Sequence, residues 1–419
     1  MTDAPTAQFV DAPTGIFVDA PTGPLAGAKV LELAQVVAGP TCGFMLADLG
    51  AEVIKIERVP GGDDTRRMTP PEIDGESAAF MMLNRNKRGI ALNLKNPEGK
   101  EVFLKLARGS DVVIENFRKG AMDRLGLGYE ALAKENPALI YAAISGFGRS
   151  GPYAERGGYD LVAQAMSGLM SITGEGPGRA PVKIGSPVCD YNAGVLTALG
   201  IVSAYVHRLK SGQGQFLDTS LFEAGISATF HQSAMYFATG VTPAPLGSGH
   251  PLSAPYQAYE TSDGWITVGA GNQANWARLC KALGAPELVE DARFATNDDR
   301  MANLDAMNSE LDPLFAKHTI DQLMDAFEQE GVPAGPVLDI AEMSEDPQAI
   351  AREMTPEVTH ARLGPVRTLG SPIKFSGTPT NLRSGAPILG QHTAEIMRDL
   401  GYSDADIDRL AGDGAVIVG

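Results

Sequence analysis

The residues with the clearest chemical potential lie in Gly185-Ser186-Pro187-Val188-Cys189-Asp190-Tyr191-Asn192-Ala193-Gly194, where a turn delivers one carboxylate to a long apolar segment. From Val195 to Tyr205 the residues are small and apolar with helical spacing, which predicts a helix over 191–207. Asp190 then stands where an N-cap belongs, its oxygens placed to accept N–H groups that the first helical turn leaves unpaired. Such a carboxylate can cap the helix or act as a nucleophile. The window alone favours the cap, because Asp is among the residues most preferred there.

Other sources of chemistry are sparse. No Cys/His cluster has metal-ligand spacing, so no protein-bound metal is expected, and neither a P-loop nor a G-x-S-x-G elbow is present. The histidines at 207, 231, 250, 318, 360 and 392 are scattered; His250, in the flexible-looking Gly247-Ser248-Gly249-His250, is kept as a substrate-site candidate. Between Lys55 and Arg124 fourteen Lys and Arg stand against eleven Asp and Glu inside a chain of net charge −17. That local basic excess marks either a phosphate-holding region or a solvated mixed surface.

The elements that must position these residues follow from periodicity. Strands are expected at 29–34, 52–57, 91–94, 111–116, 139–144 and 215–219, and helices at 38–49, 98–107, 129–134 and 222–239. Their alternation predicts an α/β fold, a Rossmann-like, doubly wound, mostly parallel sheet. The turn after the first strand, Leu33-Ala34-Gln35-Val36-Val37-Ala38-Gly39-Pro40, has no G-x-G-x-x-G, which argues against a dinucleotide site. Ligands of such sheets sit at strand carboxyl ends, where Arg58, Lys95 and Asn116-Phe117 fall. Residues 1–24, with Asp-Ala-Pro-Thr at 3, 11 and 19, read as a tail. A large domain is expected over 25–239, a linker over 240–250, and a smaller α+β domain over 251–347. The last holds a hairpin of 256–260 and 265–269 about Ser262-Asp263-Gly264. The segment 348–419, with a strand at 370–375 and a helix from Thr393, is expected to return to the large domain.

Composition bounds the function. At 419 residues and 44% hydrophobic content the chain can build two cores, with no membrane-spanning stretch. Three cysteines without pairing pattern and an N-terminus without a signal-peptide profile point to the cytoplasm. The acidic balance argues against nucleic-acid partners but not against a small anionic ligand.

The blocks Val30-Leu-Glu-Leu-Ala-Gln-Val-Val-Ala-Gly-Pro40, Leu49-Gly-Ala-Glu-Val-Ile-Lys-Ile-Glu-Arg58, Asn84-Arg-Asn-Lys-Arg88, Glu115-Asn-Phe117, Gly157-Gly-Tyr-Asp160 and Leu389-Gly-Gln-His-Thr393 resemble the class III CoA-transferase (CaiB/BaiF) family, which includes formyl-CoA transferase. The likeness runs in order from about Leu25 to the C-terminus. Tyr256-Gln-Ala-Tyr259 and Ser262-Asp-Gly-Trp-Ile-Thr-Val-Gly-Ala-Gly-Asn272 are most similar to its succinyl-CoA–glutarate CoA-transferase branch. The resemblance implies that Asp190 attacks an acyl-CoA thioester and passes through an aspartyl-CoA thioester before CoA reaches a carboxylic acid. The helix N-terminus would keep that carboxylate ionised at neutral pH. It also implies CoA contacts for Gln35, Val36, Val37, Ala38, Arg58, Leu92, Lys95, Asn116, Phe117, Arg118 and Arg124, with Tyr159 and Asp160 near the pantetheine end. CoA thioesters are then substrates, with no permanently bound cofactor, and the assembly is an interlocked homodimer.

Arg66, Arg67, Arg85 and Arg88 are candidates for pairing with an acidic acceptor. Formyl-CoA transferase covers its site with a glycine-rich loop where this chain has Gly247-Ser-Gly-His-Pro251. A related α-methylacyl-CoA racemase activity is disfavoured, because Tyr159 stands where those enzymes carry a His and the acid–base pair across the α-carbon is broken. A non-catalytic CoA-binding protein, with Asp190 only as a cap, is the other alternative.

Overall fold

The computed structural model describes residues 22–419, so the repeat-bearing tail up to residue 21 lies outside the described residues. The chain divides into two compact units, the first of residues up to 169 with 184–230 and 347–419, the second of 170–183 with 231–346.

The first unit is built on a seven-stranded sheet. Its strands are β1 (Lys29–Glu32), β2 (Glu52–Arg58), β3 (Lys87–Leu92), β4 (Val112–Glu115), β5 (Ile140–Ser145), β6 (Phe216–Ser220) and a C-terminal strand, Val416–Ile417. They lie in the order C-terminal strand, β3, β2, β1, β4, β5, β6. All neighbours are parallel except the C-terminal strand, which runs antiparallel to β3. This is the doubly wound order, with its reversal between β1 and β4, where the connecting segments leave on opposite sides and open a crevice at the carboxyl edge. β4 and β5 are nearly continuous apolar runs because both faces are covered, whereas β6 at the sheet edge alternates exposed and part-buried residues. Leu31, Ile90, Val113 and Ile140 are fully buried.

The helices that matter to the site are α1 (Ala38–Asp48), α2 (Pro97–Arg108), α3 (Asp160–Met166), α4 (Val188–Ser211) and α5 (Leu221–Ser227). Among the described residues, no helix is long and apolar enough to cross a membrane. The third strand begins at Lys87, ahead of the expected 91. The polar run Asn84–Arg88 disguises it, since Lys87 is buried against Glu32 at 2.8 Å. The helix expected over 222–239 is two helices, Leu221–Ser227 and Phe230–Thr239. No strand forms at 370–375; the preceding segment makes a hairpin of Glu357–His360 and Gly364–Arg367 instead.

In the second unit, Tyr256–Glu260 and Trp265–Gly269 form the expected hairpin, and Ala334–Pro336 adds an antiparallel third strand. Tyr259 stacks on Phe315 with ring centroids 4.2 Å apart. Buried Arg300 donates to the carbonyls of Ala254, Gly271 and Phe294, which satisfies the loops around that core.

Candidate active site

Helix α4 starts two residues before Asp190, with Pro187 at the cap position and no capping side chain of its own. Asp190 is therefore not the N-cap expected from the sequence. The cap comes from elsewhere: Oδ1 of Asp160, the first residue of α3, accepts from the backbone N–H groups of Cys189 (2.8 Å) and Asp190 (3.3 Å). Oδ2 of Asp160 accepts from Gln164 Nε2 at 2.7 Å, one turn along the same helix. Asp160 thus takes the donors that an N-terminal carboxylate would otherwise attract.

The Asp190 carboxylate is left with no hydrogen bond or ion pair to any described residue. Burial raises its pKa, and the negative charge of Asp160 adds to the effect, bringing it to about 7. The expectation that the helix terminus keeps this group ionised at neutral pH is corrected accordingly. The nearby Cys189 thiol is pushed up to about 12 by burial and by the charges of Asp160 and Asp190, so it is no nucleophile at neutral pH.

Close backbone packing sets where this end of α4 lies. A β-carbon on Gly194 would fall 2.6 Å from the Ala38 carbonyl oxygen and 2.6 Å from Thr41 Cβ. Gly194 is one turn from Asp190 on the same helical face, so α4 carries Asp190 over the start of α1. A β-carbon on Gly225 of α5 would meet Ser167 Oγ at 2.6 Å and Cys189 Sγ at 2.9 Å. Gly146 and Gly158 similarly let the loop after β5 and the strap leading into α3 touch backbone to backbone, at 2.6 Å from a built β-carbon.

The loop before α1 is held at four backbone groups between Ala34 and Val36. The Ala34 carbonyl accepts from Lys55 Nζ. Asn116, just past β4, accepts from Gln35 N (2.8 Å) and donates to Gln35 O (2.6 Å), a reciprocal pair across the switch point. Val36 donates its N–H to Asp63 Oδ1 at 3.2 Å and sits at φ 68°, an outlier for a β-branched residue. Strain of this kind clusters at ligand sites.

Gln35–Ala38 and Asn116–Arg118 follow β1 and β4, Arg58 ends β2, and Leu92 ends β3 with Lys95 just beyond it, so the parallel sheet gathers them on one carboxyl edge. Arg58 is exposed and pairs with Asp64; Lys95, Arg118 and Arg124 are exposed, and Leu92 is buried. Phe117 donates its N–H to Glu115 Oε2 at 2.7 Å, and Glu115 is itself held by Arg149 at 2.6 Å. Burial raises the Glu115 pKa to about 7 despite that arginine. Tyr159 is 77% exposed.

Not every expected residue is free to meet a ligand. Arg66 makes two 2.7 Å bonds to Glu57, donates to the Pro387 carbonyl and lies over the Phe80 ring, so its role as an acid-binding residue is withdrawn. Arg85 is buried on Asp48, and Arg88 bridges Glu52, Glu395 and Asp399. Exposed Arg67 pairs with Asp64. His250 belongs to the second unit, its ring beside His231 and Tyr256 and its Nδ1 accepting from Leu252 N. Sequence reasoning missed Asp63, Lys55 and the capping role of Asp160. The Gly61-Gly62-Asp63 turn was the available signal for the first of these.

The family model for CoA-transferase family III matches residues 25–393. A succinate–glutarate CoA-transferase of Agrobacterium fabrum is 40% identical over 383 residues, covering 90% of this chain and 96% of that protein. A succinyl-CoA:glutarate CoA-transferase of Homo sapiens is 37% identical over 394 residues, covering 94% and 90%. The crystal structure of a CAIB/BAIF family protein from Brucella suis superposes with a TM-score of 0.82 at 42% identity, covering 90% of this chain and all of that one. With family, relatives and fold in agreement over nearly its whole length, the chain belongs to CoA-transferase family III, the CaiB/BaiF family, and is an enzyme of that class.

Proposed function

We propose that this enzyme moves CoA from a succinyl-CoA-type donor to a small dicarboxylic acid through covalent intermediates on Asp190. The observation that carries the reading is the half-buried Asp190 carboxylate at the start of α4, left without hydrogen-bond donors because Asp160 occupies them. A poorly solvated carboxylate is a stronger nucleophile than a hydrated one.

An Asp190 oxygen attacks the thioester carbonyl carbon, the C–S bond breaks, and a mixed anhydride forms with release of CoA thiolate. The thiolate attacks the aspartyl carbonyl, expelling the donor acid as its carboxylate and leaving an aspartyl-CoA thioester. The acceptor carboxylate attacks that thioester to form a second anhydride and thiolate. The thiolate then takes the acceptor's acyl group, which restores Asp190. No net proton or electron is consumed. CoA lies along Gln35–Ala38 and the carboxyl edge, with Arg58, Lys95, Arg118 and Arg124 as exposed cations for its phosphates.

Two experiments test the covalent role of Asp190. Asp190→Ala should lower turnover by at least about a thousandfold while CoA still binds, as expected for loss of a covalent nucleophile. Mass spectrometry of the wild type quenched with succinyl-CoA should show the aspartyl-CoA adduct on the peptide carrying Asp190; normal turnover by the variant would sink the assignment. A dicarboxylate acceptor is supported by the glutarate in the names of the two relatives. A panel of acids assayed with succinyl-CoA should rank small dicarboxylates first, and activity confined to monocarboxylates would refute the substrate class.

A further inference from the structure

We propose that Asp63 is a positioning residue for CoA: its carboxylate holds Val36 in the left-handed conformation and so fixes the backbone edge that the loop after β1 presents to the thioester. The inference rests on the assignment of that loop to CoA made above.

Asp63 is nearly fully buried and uses both oxygens. Oδ1 accepts from Thr65 N (2.9 Å) and Thr65 Oγ1 (2.8 Å), the ordinary work of a cap on the short helix Asp64–Arg67. The same oxygen also accepts from Val36 N, 27 residues away in sequence, which a cap does not require. Oδ2 meets Lys55 Nζ at 2.7 Å, and Lys55 in turn reaches Glu32 Oε1 at 3.0 Å and the Ala34 carbonyl. One buried lysine and its partner carboxylate therefore grip the loop on both sides of Gln35.

The turn that delivers Asp63 is built for the purpose. Gly61 and Gly62 both have positive φ, 92° and 64°. A β-carbon on Gly62 would lie 2.6 Å from Glu57 Oε2, the oxygen that accepts from Asp63 N at 2.9 Å. Burial pushes the Asp63 carboxyl up, but Lys55 and Thr65 overcome it and hold it at about 2, so the acceptor stays charged. Without that acceptor, valine has no reason to remain at φ 68°, and relaxation to negative φ swings the peptide that follows.

A double-mutant cycle with free CoA, read by titration calorimetry, tests the idea. Asp63→Ala, which removes the acceptor of the Val36 N–H, should weaken CoA binding about tenfold, the scale set by the left-handed penalty of a non-glycine residue. In the Val36→Gly background the same substitution should cost under about threefold, because glycine holds positive φ unaided. KM for the acyl-CoA donor should follow the same split, with KM for the acid moving less. An equal loss in both backgrounds, or none in either, overturns the proposal. Should Asp63→Ala not fold, Asp63→Leu, close to aspartate in shape and likewise without an acceptor, is read by the same rule. A wild type that binds no CoA overturns the loop assignment and this inference together; a wild type that binds CoA while the variants combine additively overturns this inference alone.

Discussion

Two carboxylates at the start of α4 divide the work that one was expected to do. Asp160 accepts the helix N–H groups, and Asp190, in the third helical position, is left unpaired. Because burial and then Asp160 raise Asp190 to about 7, the ionised nucleophile is the minor form in acid. The sign follows: kcat/KM for the acyl-CoA donor should rise with pH through about 7 and level off above it, a limb measurable by initial rates across buffers. Asp160→Asn keeps an acceptor oxygen for the helix but removes the charge, so the limb should move down by about one unit, the scale of one neighbouring charge. A limb that stays in place would reduce Asp160 to a cap. The proposal of Asp190 as nucleophile came only through the ordered blocks around it. That Asp160 is the cap was not legible, since it lies 30 residues before Asp190 and only the fold joins the two.

At the scale of elements, glycine positions decide how close helices come. Gly194→Ala would drive a β-carbon into the start of α1, and overpacking of this kind costs about 1–3 kcal/mol. Urea denaturation should show that loss, together with reduced turnover, because Asp190 rides on the displaced helix. The buried charges of the first three strands act in the other direction. Glu32, Lys55 and Lys87 lie on β1, β2 and β3 with Glu32 paired to both lysines, and removing one partner of such a group costs about 3–5 kcal/mol. Apolar runs made β1, β2, β4 and β5 readable, and capping boxes at Thr319 and Ser403 agree with the local sequence. The start of β3 was hidden because buried lysine looks like surface until its partner carboxylate, 55 residues earlier, is known.

For the whole molecule, the switch point between β1 and β4 is the organising feature. The strand alternation predicts a doubly wound sheet, and Gln35 and Asn116 meet at its reversal. In the first unit, α4 exposes Leu199 (62%) and Leu209 (72%); in the second, Phe237 is 82% exposed. Apolar surface of this kind supports burial against a second copy, in keeping with the homodimer that the resemblance implied. Light scattering should give twice the chain mass of 44.1 kDa, and a monomeric mass at working concentrations would contradict it. Periodicity and ordered motifs suffice for the α/β class and the family, because these depend on neighbours in the chain or on blocks kept in order. The cap on α4, the grip of Asp63 and Lys55 on the strained loop, and the commitment of Arg66 to Glu57 come from the fold. Each joins residues from different elements, and whether a charged side chain is a free ligand group or a buried partner depends on what folding brings within hydrogen-bond reach of it.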